Sequence, residues 1–137
     1  MIFFFDNNLP PALARAIDCL LRSVEPEHSA CHLIDRFEPH TTDLQWIEAL
    51  STEPGTVIIT QDALYRDKLQ KAALRASDLV VFALSKGWAS QRFWLKAAQL
   101  VRWFPRIIDQ ANLIRGGAVF SVPWNVSGDG KFEQVKL

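Results

Sequence analysis

Ile2-Phe3-Phe4-Phe5-Asp6-Asn7-Asn8-Leu9-Pro10-Pro11 changes character twice within ten residues. The first four are apolar with no polar alternation, as a strand buried on both faces requires. Asp6 stops that run. The two prolines then fit only the first turn of a helix, where a backbone N–H would lack an intrahelical partner anyway. Leu13, Ile17, Leu20 and Leu21 recur at helical spacing, so this helix runs to about Val24, and Pro26 ends it. A buried strand followed at once by an amphipathic helix is the opening half of a parallel crossover unit.

The same alternation repeats along the chain. Ser29–Ile34 reads as a second strand, and a polar loop with Pro39 and His40 follows. Thr42 is a plausible N-cap for a helix whose apolar side is Leu44, Trp46, Ile47 and Leu50, ended by Pro54-Gly55. Thr56–Thr60 is β-branched throughout and reads as a third strand, Ala63–Arg75 as a helix, and Leu79–Phe82 as a fourth buried strand. Ser90 is placed as the cap of a long helix to about Asn112, with the apolar stripe Phe93, Ala97, Leu100, Phe104, Ile107 and Ala111. Gly116-Gly117 breaks it. Ala118–Val122 is a fifth strand, Gly128-Asp129-Gly130 a turn, and Lys131–Val135 an alternating, antiparallel edge strand. The expected architecture is a single α/β domain over residues 1–137, with a mostly parallel sheet, helices on both faces and a C-terminal edge hairpin.

Composition narrows the function classes. The chain has 137 residues, 49% of them apolar types, with five Trp and nine Phe, which is enough for one packed core. No apolar run approaches the ~20 residues of a membrane span, and Met1–Phe5 lacks the basic start and cleavage site of a signal peptide. Cys19 and Cys31 form no CxxC pair, so neither a zinc site nor a disulfide framework is expected, and the cytoplasm is the simplest compartment. Net charge is zero, but residues 1–68 hold eleven acids and five Lys/Arg, while residues 69–137 hold four acids and ten Lys/Arg. Two readings fit that split: an acidic surface for cations and a basic one for phosphates, or ordinary solvated charge.

In an open parallel sheet, ligands bind beyond the carboxyl ends of the strands. Asp6 follows the first strand, Asp62 follows the third in Val57-Ile58-Ile59-Thr60-Gln61-Asp62, and Asp43 lies in the first turn of the helix after the second. Topology therefore brings three carboxylates from distant segments to one edge. Singly, each is also a reasonable turn or helix-start residue. Together they repel unless one takes up a proton or a cation neutralises them. Three carboxylate oxygens around an open space suit Mg²⁺ or Mn²⁺. Such an ion acidifies a bound water and stabilises charge at phosphorus, which is the chemistry of phosphodiester hydrolysis.

Phe5-Asp6-Asn7-Asn8-Leu9-Pro10 resembles the opening motif of minimal PIN-like domains, Thr42-Asp43-Leu44 resembles their acid at a helix start, and Thr60-Gln61-Asp62 resembles their Thr-x-Asp. Ser85-Lys86-Gly87-Trp88, Phe93-Trp94 and Gly130-Lys131-Phe132-Glu133-Gln134-Val135 are similar to the VapC-type toxin branch of that family. The resemblance implies a three-layer α/β/α sandwich with strand order 2-1-3-4 and a metal-dependent endoribonuclease, usually the toxin of a bacterial toxin–antitoxin pair. It makes Asp6, Asp43 and Asp62 the catalytic and metal-binding acids, with Mg²⁺ or Mn²⁺ as cofactor, RNA as substrate and a cognate antitoxin protein as partner. One departure stands out. Fuller PIN domains carry a fourth acid, and no residue here aligns with it. Glu48, five positions beyond Asp43, falls about 140° round the helix.

Smaller features keep two readings each. Asn8 supports the acids or shapes the turn beside Asn7, and Thr60 orients Asp62 through its hydroxyl or is a plain strand residue. Arg66, four residues after Asp62, contacts a phosphate or pairs with an acid. Arg92, Lys96, Gln99, Arg102 and Arg106, with Trp103 on the same side, form either a single-stranded RNA track or a solvated helix face. Lys71, Arg75 and Lys86 add to the basic half. The histidines His28, His32 and His40 are expected to be structural, and Cys19 and Cys31 small core residues. The tryptophan-rich C-terminal half offers a surface for a homodimer or the antitoxin. Two rivals remain open: a catalytically weak RNA- or antitoxin-binding module on the same fold, and a phosphoacceptor receiver. A receiver needs a paired acid where Asn7 and Asn8 stand and a Lys where Pro123-Trp124 stands.

Overall fold

The computed structural model describes residues 1–126 and 130–137. Its strands are β1 (Ile2–Phe5), β2 (Ser29–His32), β3 (Thr56–Thr60), β4 (Val80–Leu84), β5 (Ala118–Val122) and β6 (Glu133–Val135). They form one sheet in the order β2-β1-β3-β4-β5-β6, parallel except for the β5–β6 pair at the edge. The expected order 2-1-3-4 is therefore present, extended by two strands. The helices are α1 (Pro11–Val24), α2 (Asp43–Leu50), α3 (Lys68–Arg75), α4 (Lys86–Ala89) and α5 (Phe93–Leu113).

Strand alternation sorts the core into two layers. Phe3 and Phe5, with Val57, Ile59, Val80, Phe82 and Phe120, face α1 and α5. Phe4, with Ile58, Val81 and Val119, faces α2 and α3. Phe3, Phe4 and Phe5 are at most 2% exposed, which explains the unbroken apolar run at the start of the chain. The result is the expected α/β/α sandwich.

Several boundaries depart from expectation. β2 ends at His32, because the His32 ring accepts the Ile34 N–H (3.2 Å) and the Asp35 carboxylate accepts the His32 N–H (3.0 Å), starting a 3-10 turn over Leu33–Asp35. The segment expected as one helix from Ala63 to Arg75 is broken. Leu64–Arg66 is a 3-10 turn, and the Asp67 carboxylate accepts from the N–H groups of Leu69 (2.9 Å) and Gln70 (3.0 Å), so α3 starts only after it. Ser90 does not cap the long helix. The short helix α4 precedes it, Arg92 is the N-cap residue of α5, and no side chain caps that end. Thr42 does cap α2, reciprocally with Gln45. The edge strand begins at Glu133, because Phe132 turns inward against Phe82, Trp103 and Phe120 and leaves the ladder. Of the turn expected at Gly128-Asp129-Gly130, the first two residues lie outside the described residues. Gly130 has a positive φ of 57° and packs against the Arg106 side chain.

α5 runs from the carboxyl edge of the sheet to the opposite edge. Near its start the Gln99 amide donates to the Trp124 carbonyl, just beyond β5, and near its end Ala111 lies beside Gly55 and Val57. Phe93, expected on its buried stripe, is 38% exposed, whereas Gln99 and Trp103 are buried. Cys19 is exposed rather than a core residue, and Cys31 is half-buried.

Candidate active site

Asp6 extends β1 by one residue: its N–H donates to the Ile59 carbonyl (3.0 Å), and the Leu9 N–H donates to the Asp6 carbonyl (2.9 Å) to close a turn. Continuing the register Phe5↔Ile59 places Asp6 beside Thr60, and the parity of Phe4 and Ile58 puts both on the α2 side of the sheet. The contacts follow from that placement. The Thr60 hydroxyl donates to Asp6 Oδ2 (2.7 Å), the Asn7 N–H donates to Asp6 Oδ1 (2.6 Å), and the Asp62 N–H donates to Thr60 Oγ1 (2.9 Å). Thr60 is thus the link between the two acids. Its hydroxyl touches the Asp6 side chain and the Asp62 backbone. The Asn8 side-chain oxygen accepts the Gln61 N–H (3.2 Å), tying the loop after β1 to the end of β3.

Asp6 is only 3% exposed. Burial raises its pKa above the usual carboxylate range. The Thr60 and Asn7 hydrogen bonds pull it down, and the charges of Asp43 and Asp62 push it up. The effect of the two other acids is the smallest of these. Asp43, half-buried at the first position of α2, accepts a hydrogen bond from the indole N–H of Trp46 (3.0 Å), one turn along. Asp62 is exposed, and its carboxylate has no hydrogen-bond or ionic partner among the described residues. Glu48 is exposed on α2.

Asp62 opens onto a cleft of about 240 Å³ whose walls are Gln61, Tyr65, Arg66, Ser85 and Lys86 and whose floor is Ala83 and Ser121. Arg66 is in this cleft, although not on a helix shared with Asp62. Lys86 is the cation that the sequence placed only in the basic half, with no link to the acids. Gln61 also went unnoticed: besides its backbone bond to Asn8, its side-chain amide donates to the Ser85 carbonyl (3.4 Å), so it joins three strand ends. The α5 cations are arranged otherwise. Arg92 and Lys96 lie in its first turn or just before it, at the same sheet edge, but on the layer opposite α2. Arg102 is exposed farther down. Arg106 lies over the Trp103 ring, 5.5 Å from its centroid. Trp103 itself is fully buried, so it offers no stacking face to a nucleic acid.

A model of the family described as PIN like domain matches residues 1–86. The chain belongs to the PIN-like domain family. No curated protein and no solved structure matches it. The matched span runs from β1 to the first residue of α4, and so contains Asp6, Asn8, Asp43, Thr60, Asp62, Arg66 and Lys86. The Phe93-Trp94 and Gly130–Val135 motifs lie beyond it. PIN domains are generally nucleases, and those nucleases usually use divalent metals.

Among the described residues, no group of three or more His, Cys, Asp or Glu side chains is placed so that it could hold a metal ion. Taken singly, the side chains are of the oxygen-donor type that suits a hard cation: each Asp6 oxygen accepts one hydrogen bond and retains a second lone pair, and the Asp62 carboxylate has no partner among the described residues. His28 and His32 are buried and structural. The His32 ring accepts at Nδ1 from Ile34 and therefore donates from Nε2 to the Leu9 carbonyl (2.8 Å), holding the loop that carries Asn8. No helix of the described residues is long and apolar enough to cross a membrane.

Proposed function

We propose that this PIN-like domain is a Mg²⁺- or Mn²⁺-dependent endoribonuclease, the toxin of a toxin–antitoxin pair. The observation that carries the reading is the family match together with the placement of Asp6 and Asp62 after the neighbouring strands β1 and β3, linked through Thr60, with Asp43 at the first position of α2. Asp6 and Asp62 hold the cation, and Asp43 joins them or orients the attacking water. Thr60 fixes Asp6 by its hydroxyl, and Trp46 fixes Asp43 by its indole N–H. The bound ion supplies charge stabilisation at the phosphorus centre and lowers the pKa of water. Arg66 attracts the phosphate backbone beside Asp62, and Arg92 and Lys96 extend the positive field along the same edge. Arg102 and Arg106 were expected to join them. Arg106 lies over the buried Trp103 ring and Arg102 lies farther down α5, away from the carboxyl edge, so this reading does not use them. Phe93 (38% exposed), Trp94 (81%) and Leu95 (57%) form an apolar patch at the start of α5 that suits a protein partner, the antitoxin or a second copy of the chain.

The test is cleavage of a labelled RNA by the wild type and by Asp62→Asn, with Mg²⁺, Mn²⁺ or chelator. Cutting that needs the ion and falls at least 100-fold in the variant supports the reading. Equal cutting by both proteins refutes it. One observation favours a second reading, a binding module with feeble catalysis: both Asp6 oxygens are already engaged by protein donors, and no ready metal cluster is present among the described residues. RNA binding without metal-dependent cutting of any RNA would favour it.

A further inference from the structure

Arg66 and Lys86 come from different parts of the fold, the 3-10 turn after β3 and the start of α4, yet both line the cleft beside Asp62. Neither has an ion-pair partner among the described residues, although the chain holds fifteen acids. Arg15, Arg22 and Arg36 pair with Asp35, Asp18 and Glu53, whereas Arg92, Lys96 and Arg102 have no ion pair among the described residues either, so it is their place beside Asp62 that singles out Arg66 and Lys86. Two exposed cations that line one cleft with Asp62 put positive charge directly beside an acidic site. The floor between them is small, Ala83 and Ser121, so a ligand can approach the sheet closely. At about 240 Å³ the cleft has room for a group of phosphate size beside Asp62. Tyr65 adds an aromatic side chain to the lining.

We propose that this cleft is the subsite for a single-stranded RNA phosphate next to the cleaved bond, held between Arg66 and Lys86. The strand then crosses the sheet edge over β4 and β5 on the α3 side, and does not run along α5. This deepens the nuclease reading and rests on it for the identity of the ligand. Its test is made in chelator, where no cutting occurs, so a failure of catalysis and a failure of the subsite are read separately.

The experiment is fluorescence anisotropy of a labelled, unstructured single-stranded RNA of ten nucleotides, titrated with the full chain at several salt concentrations. Arg66→Ala and Lys86→Ala are each expected to weaken binding about 3- to 10-fold. Each should also reduce the slope of log affinity against log salt by about 0.7, the value for one phosphate contact on a single strand. Arg115→Ala, at the opposite edge of the sheet, should stay within 2-fold. Ser121→Leu, which fills the floor and leaves every cation in place, should weaken binding comparably, with unchanged circular dichroism confirming its fold. The proposal is overturned if the wild type shows no saturable binding, or if a duplex of the same length binds as tightly. It is equally overturned if the losses appear in Arg102→Ala and not in Arg66→Ala or Lys86→Ala.

Discussion

Asp6 is a carboxylate in a place that disfavours its charge. Burial and two neighbouring acids raise its pKa, and its hydrogen bonds from Thr60 and Asn7 only partly offset this. Its folded pKa lies above the unfolded value of about 3.9, so the folded protein binds this proton more tightly than the unfolded chain does. The stability it contributes is therefore full below pH ~4 and is lost as pH rises through the raised folded value. In chelator, Asp6→Asn is expected to melt above the wild type at pH 7, with the difference shrinking toward pH 4. A difference independent of pH would contradict the burial argument. Trp46 gives a second test at this scale. Trp46→Phe removes the one donor to the Asp43 carboxylate among the described residues and keeps an aromatic ring in the core. A hydrogen bond to a charged group contributes about 1.5–3 kcal/mol, so RNA cleavage by the folded variant should fall about 10- to 100-fold, with KM little changed. The thiols separate as well. Burial pushes the Cys31 thiol up to about 11, whereas Cys19 is exposed, so a thiol reagent at pH 8 should label Cys19 first.

At the level of elements, a side chain that accepts backbone N–H groups decides where α2 and α3 start. Asp67 illustrates this: Ala63–Arg75 has continuous helical spacing in sequence, yet the Asp67 carboxylate captures two N–H groups and starts α3 there. Asp67→Ala should lower stability by about 1 kcal/mol, seen as a lower urea midpoint at an unchanged slope. No change would mean the cap is redundant with packing of Leu74. Thr42 was legible as an N-cap because a Thr just before an apolar helical pattern is a local signal, and the structure adds its reciprocal partner Gln45. The start of α5 was not. Ser90 has the right chemistry, but the short helix α4 uses it as its last flanking residue, and α4 exists because the Trp88 indole donates to the Val122 carbonyl (3.0 Å), a contact 34 residues away. Local signals carried the strands well, since Phe3–Phe5 and Val57–Thr60 are buried on both faces and need no partner to be recognised. They failed wherever a distant carbonyl or ring finished the element, as for Phe132 at the start of β6.

For the molecule as a whole, the sheet sets the site. Parallel strands β1 and β3 are neighbours, so Asp6 and the Thr60–Asp62 segment must meet, and the first turn of α2 must join them at the same edge. This part was legible in the sequence, because strand ends and helix starts are local and the edge rule supplies the rest. The path for a nucleic acid was not. Arg92, Lys96, Arg102 and Arg106 do share a helix side, but helical spacing does not tell which layer the helix joins or what covers it. α5 packs opposite α2, and Trp103 and Gln99 on that side are buried beneath the chain around Trp124 and Phe132. The Arg66–Lys86 cleft stayed hidden for the converse reason: its walls come from three segments that only the tertiary fold juxtaposes. The central claim is that the three acids hold a divalent cation, and calorimetric titration of Mn²⁺ into the protein tests it most directly. The account predicts saturable binding by the wild type that weakens at least tenfold in each of Asp6→Asn, Asp43→Asn and Asp62→Asn. No saturable binding by the wild type, or binding that all three substitutions leave unchanged, would contradict it.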